Sequence, residues 1–270
     1  MTELHADNET GRRKPPPHPG LDLVRATEAA ALAASRFMGR GDRLGADHAA
    51  QVAMANALNL LPMKGRIVSG EGRRLQEDTP VPADTPVGTG KGVELDVEIN
   101  AIDGASLVAE GRPGAMAAAA FAPAGSLWHP GPALYMDKLV VDRSCLDVIG
   151  PDALDAPSGF VLANIARAKE KDIGDLAVFV VDRPRHEPLI EEIRRAGARV
   201  HLRKGGDVGG ALLAADPRAP IDAMMGIGGA AEGLIGACAV KALGGTMLGR
   251  VAPLREDERN ACLEQGVDLD

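Results

Sequence analysis

Residues 176–204, LAVFVVDRPRHEPLIEEIRRAGARVHLRK, place a valine-rich run, a charged stretch and a second short run in succession. They read as a strand over Leu176–Asp182, a helix over Glu187–Ala196 and a strand over Ala198–Lys204. A helix over Ser158–Lys171 precedes them. Downstream come a helix over Val208–Ala215, a strand over Ile221–Gly226 and a helix over Ala231–Leu243. Strands alternating with helices of this length imply parallel β-α units, whose strand ends form a natural ligand crevice.

Each of these strand ends carries polar or glycine residues. Arg183, Arg185 and His186 follow the first, and the two guanidiniums suit bidentate phosphate contacts. His186 itself reads as a surface loop histidine. Gly205, Gly206 and Asp207 follow the second strand. The third leads into the glycine turn Gly226–Gly233, where backbone N–H groups and a helix N-terminus could approach an anion, although plain strand–helix packing would also call for glycine there. No acidic ribose partner follows it, so it is not a dinucleotide-binding fingerprint.

A second informative stretch lies upstream, residues 88–106, GTGKGVELDVEINAIDGAS. Its alternation sets Asp96, Glu98 and Asn100 on one face of a strand and Leu95, Val97 and Ile99 on the other. The run ends in a tight glycine turn, and carboxylates at such a strand end suit a divalent cation. Further strands are expected over Gly65–Gly70, Gly114–Pro123 and Ala133–Asp142, the last with Tyr135 as a half-buried packing residue.

The formal net charge of -8 argues against a nucleic-acid or anionic-membrane surface. Aromatics are only 2% of a chain that is 45% hydrophobic, so the core must be built from Ala, Val, Leu, Ile and Met. The three cysteines, Cys145, Cys238 and Cys262, lie far apart with no metal-binding spacing. With no signal or membrane-spanning pattern, they point to a cytoplasmic protein.

Residues 1–20, with Arg12-Arg13-Lys14 ahead of four prolines, read as a disordered leader. Helices are expected over Leu21–Met38 and Ala46–Leu61, with Asp47 as a dipole or capping acid in the first turn of the second. Glu71, an acid between Gly70 and Gly72 at a strand end, reads as a site residue.

The markers ATEAAALAASRFMGRGD, IVSGEG, VGTGKGVELDVEI, LYMDKLVV, RPRHEPLIEEIRRAGARV and GIGGAAEGLIGACAVKALGG, spread over Leu21 to Arg250, resemble the class II fructose-1,6-bisphosphatases of the lithium-sensitive phosphatase superfamily. The resemblance implies a layered α/β/α/β/α sandwich. Its N-terminal half, residues 21–157, would bind metal, and its C-terminal β-α half, residues 158–270, would bind substrate. The family continues for several dozen residues past Asp270, so the second half is expected to be truncated. The implied reaction is metal-dependent hydrolysis of the 1-phosphate of a sugar bisphosphate by a homo-oligomer. Two Mn²⁺ or Mg²⁺ ions would be held by Asp47 and Glu71, and by Asn100, Asp103 and Glu232. Asp103 and Glu71 would carry catalysis. Sugar and phosphate would meet Asp103, Gly104, Ala105, Tyr135, Arg183, Pro184, Arg185, Gly205, Gly206, Asp207 and Gly229.

Departures from the family pattern gather at the chemistry. Asn100 stands where the family has a metal-binding aspartate, so a single bound ion is one expectation. Ala105 replaces the threonine that would orient the attacking water, and Ser106 follows it. Arg183 and Arg43 replace lysines, Gly45 replaces a threonine, and Gly205 replaces a substrate-binding acid. Arg73, Leu75 and Gln76 stand where acids are usual. Two readings follow: an impaired sugar-bisphosphatase, and an inactive paralogue that binds a phosphorylated metabolite or an active homologue.

Overall fold

The structure, a computed structural model, describes residues 19–70 and 79–269. Most of the expected leader, together with Glu71, Arg73, Leu75 and Gln76, lies outside the described residues. In chain order the elements are α1 (Pro19–Ser35), α2 (Arg43–Leu58), β1 (Met63–Ile67), β2 (Pro86–Val87), β3 (Val93–Asp103), α3 (Ala105–Ala109), β4 (Met116–Pro123) and β5 (Tyr135–Val141). Then come α4 (Ser158–Ala168), β6 (Ala177–Val181), α5 (Glu187–Arg195), β7 (Arg199–Arg203), α6 (Asp207–Ala215), β8 (Ala223–Gly229), α7 (Ala230–Leu243), β9 (Thr246–Val251) and α8 (Glu256–Glu264).

The strands form two sheets, ordered β2-β1-β3-β4 and β7-β6-β8-β5-β9. In the first, β1 and β3 are parallel, while β2 and β4 run antiparallel to their neighbours. In the second, β7, β6 and β8 are parallel, as the β-α units require, but β5 and β9 are antiparallel to the strands they pair with. The parallel part of the C-terminal half is therefore three strands wide, and β5 enters the sheet from well upstream in the chain.

The apolar pattern explains the layering. Val178 and Val180 of β6 pack outward with Leu162 and Ile165 of α4 and Ile193 of α5. Phe179 and Val181, on the opposite face, pack with Ala211 and Ala214 of α6 and Val240 of α7. A strand covered on both faces is apolar throughout, which is why AVFVV shows no alternation. On the first sheet, Val97, Ile99 and Ala101 of β3 pack against the alanine-rich faces of α1 and α2. The other face of β3 meets α6 and α7. Five layers result, α1/α2, sheet, α6/α7, sheet, α4/α5.

The acidic face of β3 is thus interior. Asp96, Glu98 and Asn100 are all buried. Glu98 accepts from the backbone N–H of Ser69 at 2.9 Å and from its hydroxyl. Asp96 accepts from the Leu127 N–H at 3.1 Å. Among the described residues no helix is long and apolar enough to cross a membrane.

Candidate active site

The C-terminal ends of β3, β6, β7 and β8 and the start of β5 open on one cavity of about 530 Å³. It is lined by Asp47, Asn100, Asp103, Gly104, Ala105, Tyr135, Arg183, Arg185, Gly205, Gly206, Asp207, Gly229 and Glu232. Of the described residues expected at the site, Pro184 alone does not line it. Arg43, Ser69, Ser106 and Lys204 also reach the cavity.

Two turns make this convergence possible. Gly104 takes φ 94° where β3 breaks into α3, and Gly206 takes φ 97° before α6, both in the left-handed region that side chains avoid. The carboxylate of Asp103 then lies at the N-terminus of α6. Its Oδ1 accepts from the Asp207 N–H at 3.2 Å, and its Oδ2 from those of Val208 and Gly209 at 2.8 and 3.3 Å. Burial first, then the neighbouring charges of Asp207 and Glu232, push the Asp103 carboxyl up to about 7, against the opposing pull of the amides.

Asp207 has its own counter-charge. Lys138 of β5 places Nζ 2.8 Å from Asp207 Oδ2 and 3.2 Å from the Gly229 carbonyl. Asp207 Oδ2 also accepts from the Gly229 N–H at 3.1 Å. A Cβ on Gly228 would fall 1.7 Å from this oxygen, so only glycine admits the carboxylate there. Lys138 carried no expected role. Its visible signal is a charged pair, Asp137 and Lys138, inside the mostly apolar run LYMDKLVV.

The two arginines differ in use. Arg185 spends Nε and Nη2 on the carbonyl of Ile227, at 3.1 and 2.7 Å, and its Cζ sits 5.5 Å from the Tyr135 ring centre. That edge braces the backbone while the residue still lines the cavity. Arg183 donates to the Asp182 carbonyl at 2.8 Å. His186 is 3% exposed, so it is a buried residue and not a surface one. Asp47 lies beyond the first turn of α2, where Asp42 is the cap, accepting from the Gly45 N–H at 2.8 Å. Asp47 accepts instead from Gln51 Nε2 at 2.9 Å.

Asn100, Asp103, Glu232 and Asp47 all supply oxygens to the cavity wall. Among the described residues no group of three or more His, Cys, Asp or Glu side chains gathers as a metal cage. These donors fit a hard cation that keeps several waters and takes oxygens from a bound phosphate.

Carboxylates, cations and helix N-termini converge here at the strand ends of a layered α/β sandwich. Residues 18–270 match the family model described as bacterial fructose-1,6-bisphosphatase, glpX-encoded, and the chain belongs to that family. It is 38% identical over 272 residues to the D-fructose 1,6-bisphosphatase class 2/sedoheptulose 1,7-bisphosphatase of Synechococcus sp. (strain JA-3-3Ab), covering 92% of this chain and 77% of that protein. It is 39% identical over 260 residues to the fructose-1,6-bisphosphatase 2 class 2 of Escherichia coli (strain K12), covering 92% of this chain and 79% of that one.

Proposed function

We propose that the protein binds a sugar bisphosphate of the fructose 1,6- or sedoheptulose 1,7-type and hydrolyses its 1-phosphate slowly. One observation carries this reading. The groups suited to holding sugar and phosphate line one cavity with Asp103 and Glu232, while the same lining at the end of β3 and the start of α3 includes the uncharged Asn100 and the hydroxyl-free Ala105.

Arg183, Arg185 and the N-terminus of α7 attract a phosphate. Asp207, held by Lys138, accepts a sugar hydroxyl, and the Tyr135 ring walls the cavity beside it. The second phosphate lies toward Gly104 and Ala105. Asp47, Glu71, Asn100, Asp103 and Glu232 would hold Mn²⁺ or Mg²⁺ there, and the ion when bound neutralises phosphate charge and acidifies water. Asn100 offers a neutral oxygen in place of a charged one, which weakens the hold on a cation. Ala105 cannot accept a proton or orient a nucleophile. Ser106 lines the same cavity but stands one helical step away.

The free Cys145, Cys238 and Cys262 fit a reducing compartment, so we place the protein in the cytoplasm. The reading is tested by titration calorimetry with fructose 1,6-bisphosphate in the presence of Mn²⁺. Saturable one-site binding is expected. No heat of binding, with the protein folded, overturns it.

A further inference from the structure

Behind the arginine that faces the cavity lies a buried imidazole. His186 closes the turn that presents Arg183 and Arg185, and its Nδ1 is 2.6 Å from the Val181 carbonyl. Its Nε2 accepts from the Ile227 N–H at 2.9 Å. A carbonyl can only accept and an N–H can only donate, so these two partners dictate the neutral tautomer with the proton on Nδ1. Ile227 is therefore held at both of its backbone polar groups, in two successive peptides: its N–H by His186, its carbonyl by Arg185. Gly226 makes this approach possible, with φ 119° and a Cβ position only 3.0 Å from Nε2.

We propose that His186 is a positioning residue for phosphate binding: it fixes the Ile227 carbonyl on which Arg185 is braced, and so sets the guanidinium beside Tyr135. The proposal rests on the reading of this cavity as a sugar-bisphosphate site. The mechanism follows from the geometry. Without an acceptor at Nε2 the Ile227 N–H is left unsatisfied beyond the last pairing of β8 with β6, and β8, still laddered to β5 there, can shift the carbonyl on which Arg185 is braced. Protonation would have the same effect, because it sets an N–H against the Ile227 N–H. The charged groups facing the ring are Arg185 on its own turn, Asp207 at the start of α6 and Asp137 of β5. Burial, the largest influence, favours the neutral ring.

The test is a double-mutant cycle read by calorimetric titration with fructose 1,6-bisphosphate and Mn²⁺, using wild type, H186L, H186Q, R185A and H186L/R185A. Leucine at 186 is expected to weaken binding about tenfold, as small misplacements of binding groups do. Glutamine, which can still accept from Ile227, should recover binding to within about threefold of wild type, and in the R185A background the leucine should change affinity less than about twofold. Equal losses in both backgrounds, or a glutamine variant no better than leucine, overturn the proposal. Should R185A bind as tightly as wild type, the site reading falls with it; should R185A weaken binding while the cycle is additive, His186 alone falls.

A second measurement needs no substitution at 186. As pH falls below about 6.5, the ordinary imidazole value from which burial lowers His186, wild-type affinity should fall more steeply than that of R185A. Equal slopes overturn the proposal.

Discussion

Lys138 Nζ and Asp207 Oδ2 form a 2.8 Å ion pair at the floor of the cavity, with 2% and 12% of the two side chains exposed. The pair supplies the positive charge that lets Asp207 share this space with Asp103 and Glu232. It also ties β5 to the start of α6 at the cavity. Replacing Lys138 with methionine keeps most of the volume and strands a carboxylate. Urea denaturation should show a loss of about 3–5 kcal/mol, the usual result of removing one partner of a buried pair. Adding Asp207→Asn should restore much of it. A loss under about 1 kcal/mol for the single variant would mean that water already screens the pair.

A second charge cluster lies at the opposite end of the same sheet. Lys169 contacts Asp142 and lies 3.4 Å from Asp222, which Lys171 reaches at 2.7 Å. Burial pulls both carboxyls upward. The lysine and backbone hydrogen bonds outweigh it, and both end below their ordinary value. Groups depressed on folding contribute stability that is present above the unfolded carboxylate pKa of about 3.9 and lost as pH falls through the folded values. Denaturation across a pH series should therefore show wild-type stability dropping steeply below about pH 4. Lys169→Met should be less stable at neutral pH and show a shallower drop in acid. An unchanged acid slope in that variant would contradict the role given to Lys169.

Much of this arrangement was legible in the chain itself. Leu176–Asp182 read as a strand of a parallel β-α unit, and the residues that follow β6, β7 and β8 were expected at one crevice, because parallel strands end on the same side. The glycine turn at Gly104 likewise announced where β3 would break. The antiparallel entry of β5 and β9 was not legible, since pairing direction depends on partners far apart in sequence. Nor was the interior setting of the acidic face of β3, which alternation alone assigns to a boundary. Lys138 and Asp207 stand 69 positions apart. His186 looked exposed because it follows three polar or turn-forming residues, and only the return of β8 buries it. Asp47 was misplaced within α2 because the helix starts three residues earlier than its apolar pattern suggests.

The last helix reaches back to the site. Glu258 of α8 is buried and accepts from the N–H groups of Leu134 and Tyr135, at 2.8 and 3.2 Å, and of Leu254 at 3.1 Å. Leu134 and Tyr135 both line the cavity. Glu258→Ala leaves three backbone donors without this acceptor, at about 1–3 kcal/mol for each group left unsatisfied. Hydrogen exchange at Leu134, Tyr135 and Leu254 should accelerate well beyond that of β6, and the sugar bisphosphate should bind more weakly. Unchanged exchange at Tyr135 would show that β5 holds its start without α8.

The proposed effect of Asn100 and Ala105 is tested most directly by phosphate release from fructose 1,6-bisphosphate with Mn²⁺, comparing wild type with an Asn100→Asp, Ala105→Thr double variant. Restoring the acid and the hydroxyl should raise turnover by about 10²-fold or more, the scale on which a positioned acid–base group acts. Wild-type turnover at or above about one per second, within the range of working enzymes, with no gain in the double variant, would contradict the claim that these two positions limit the chemistry.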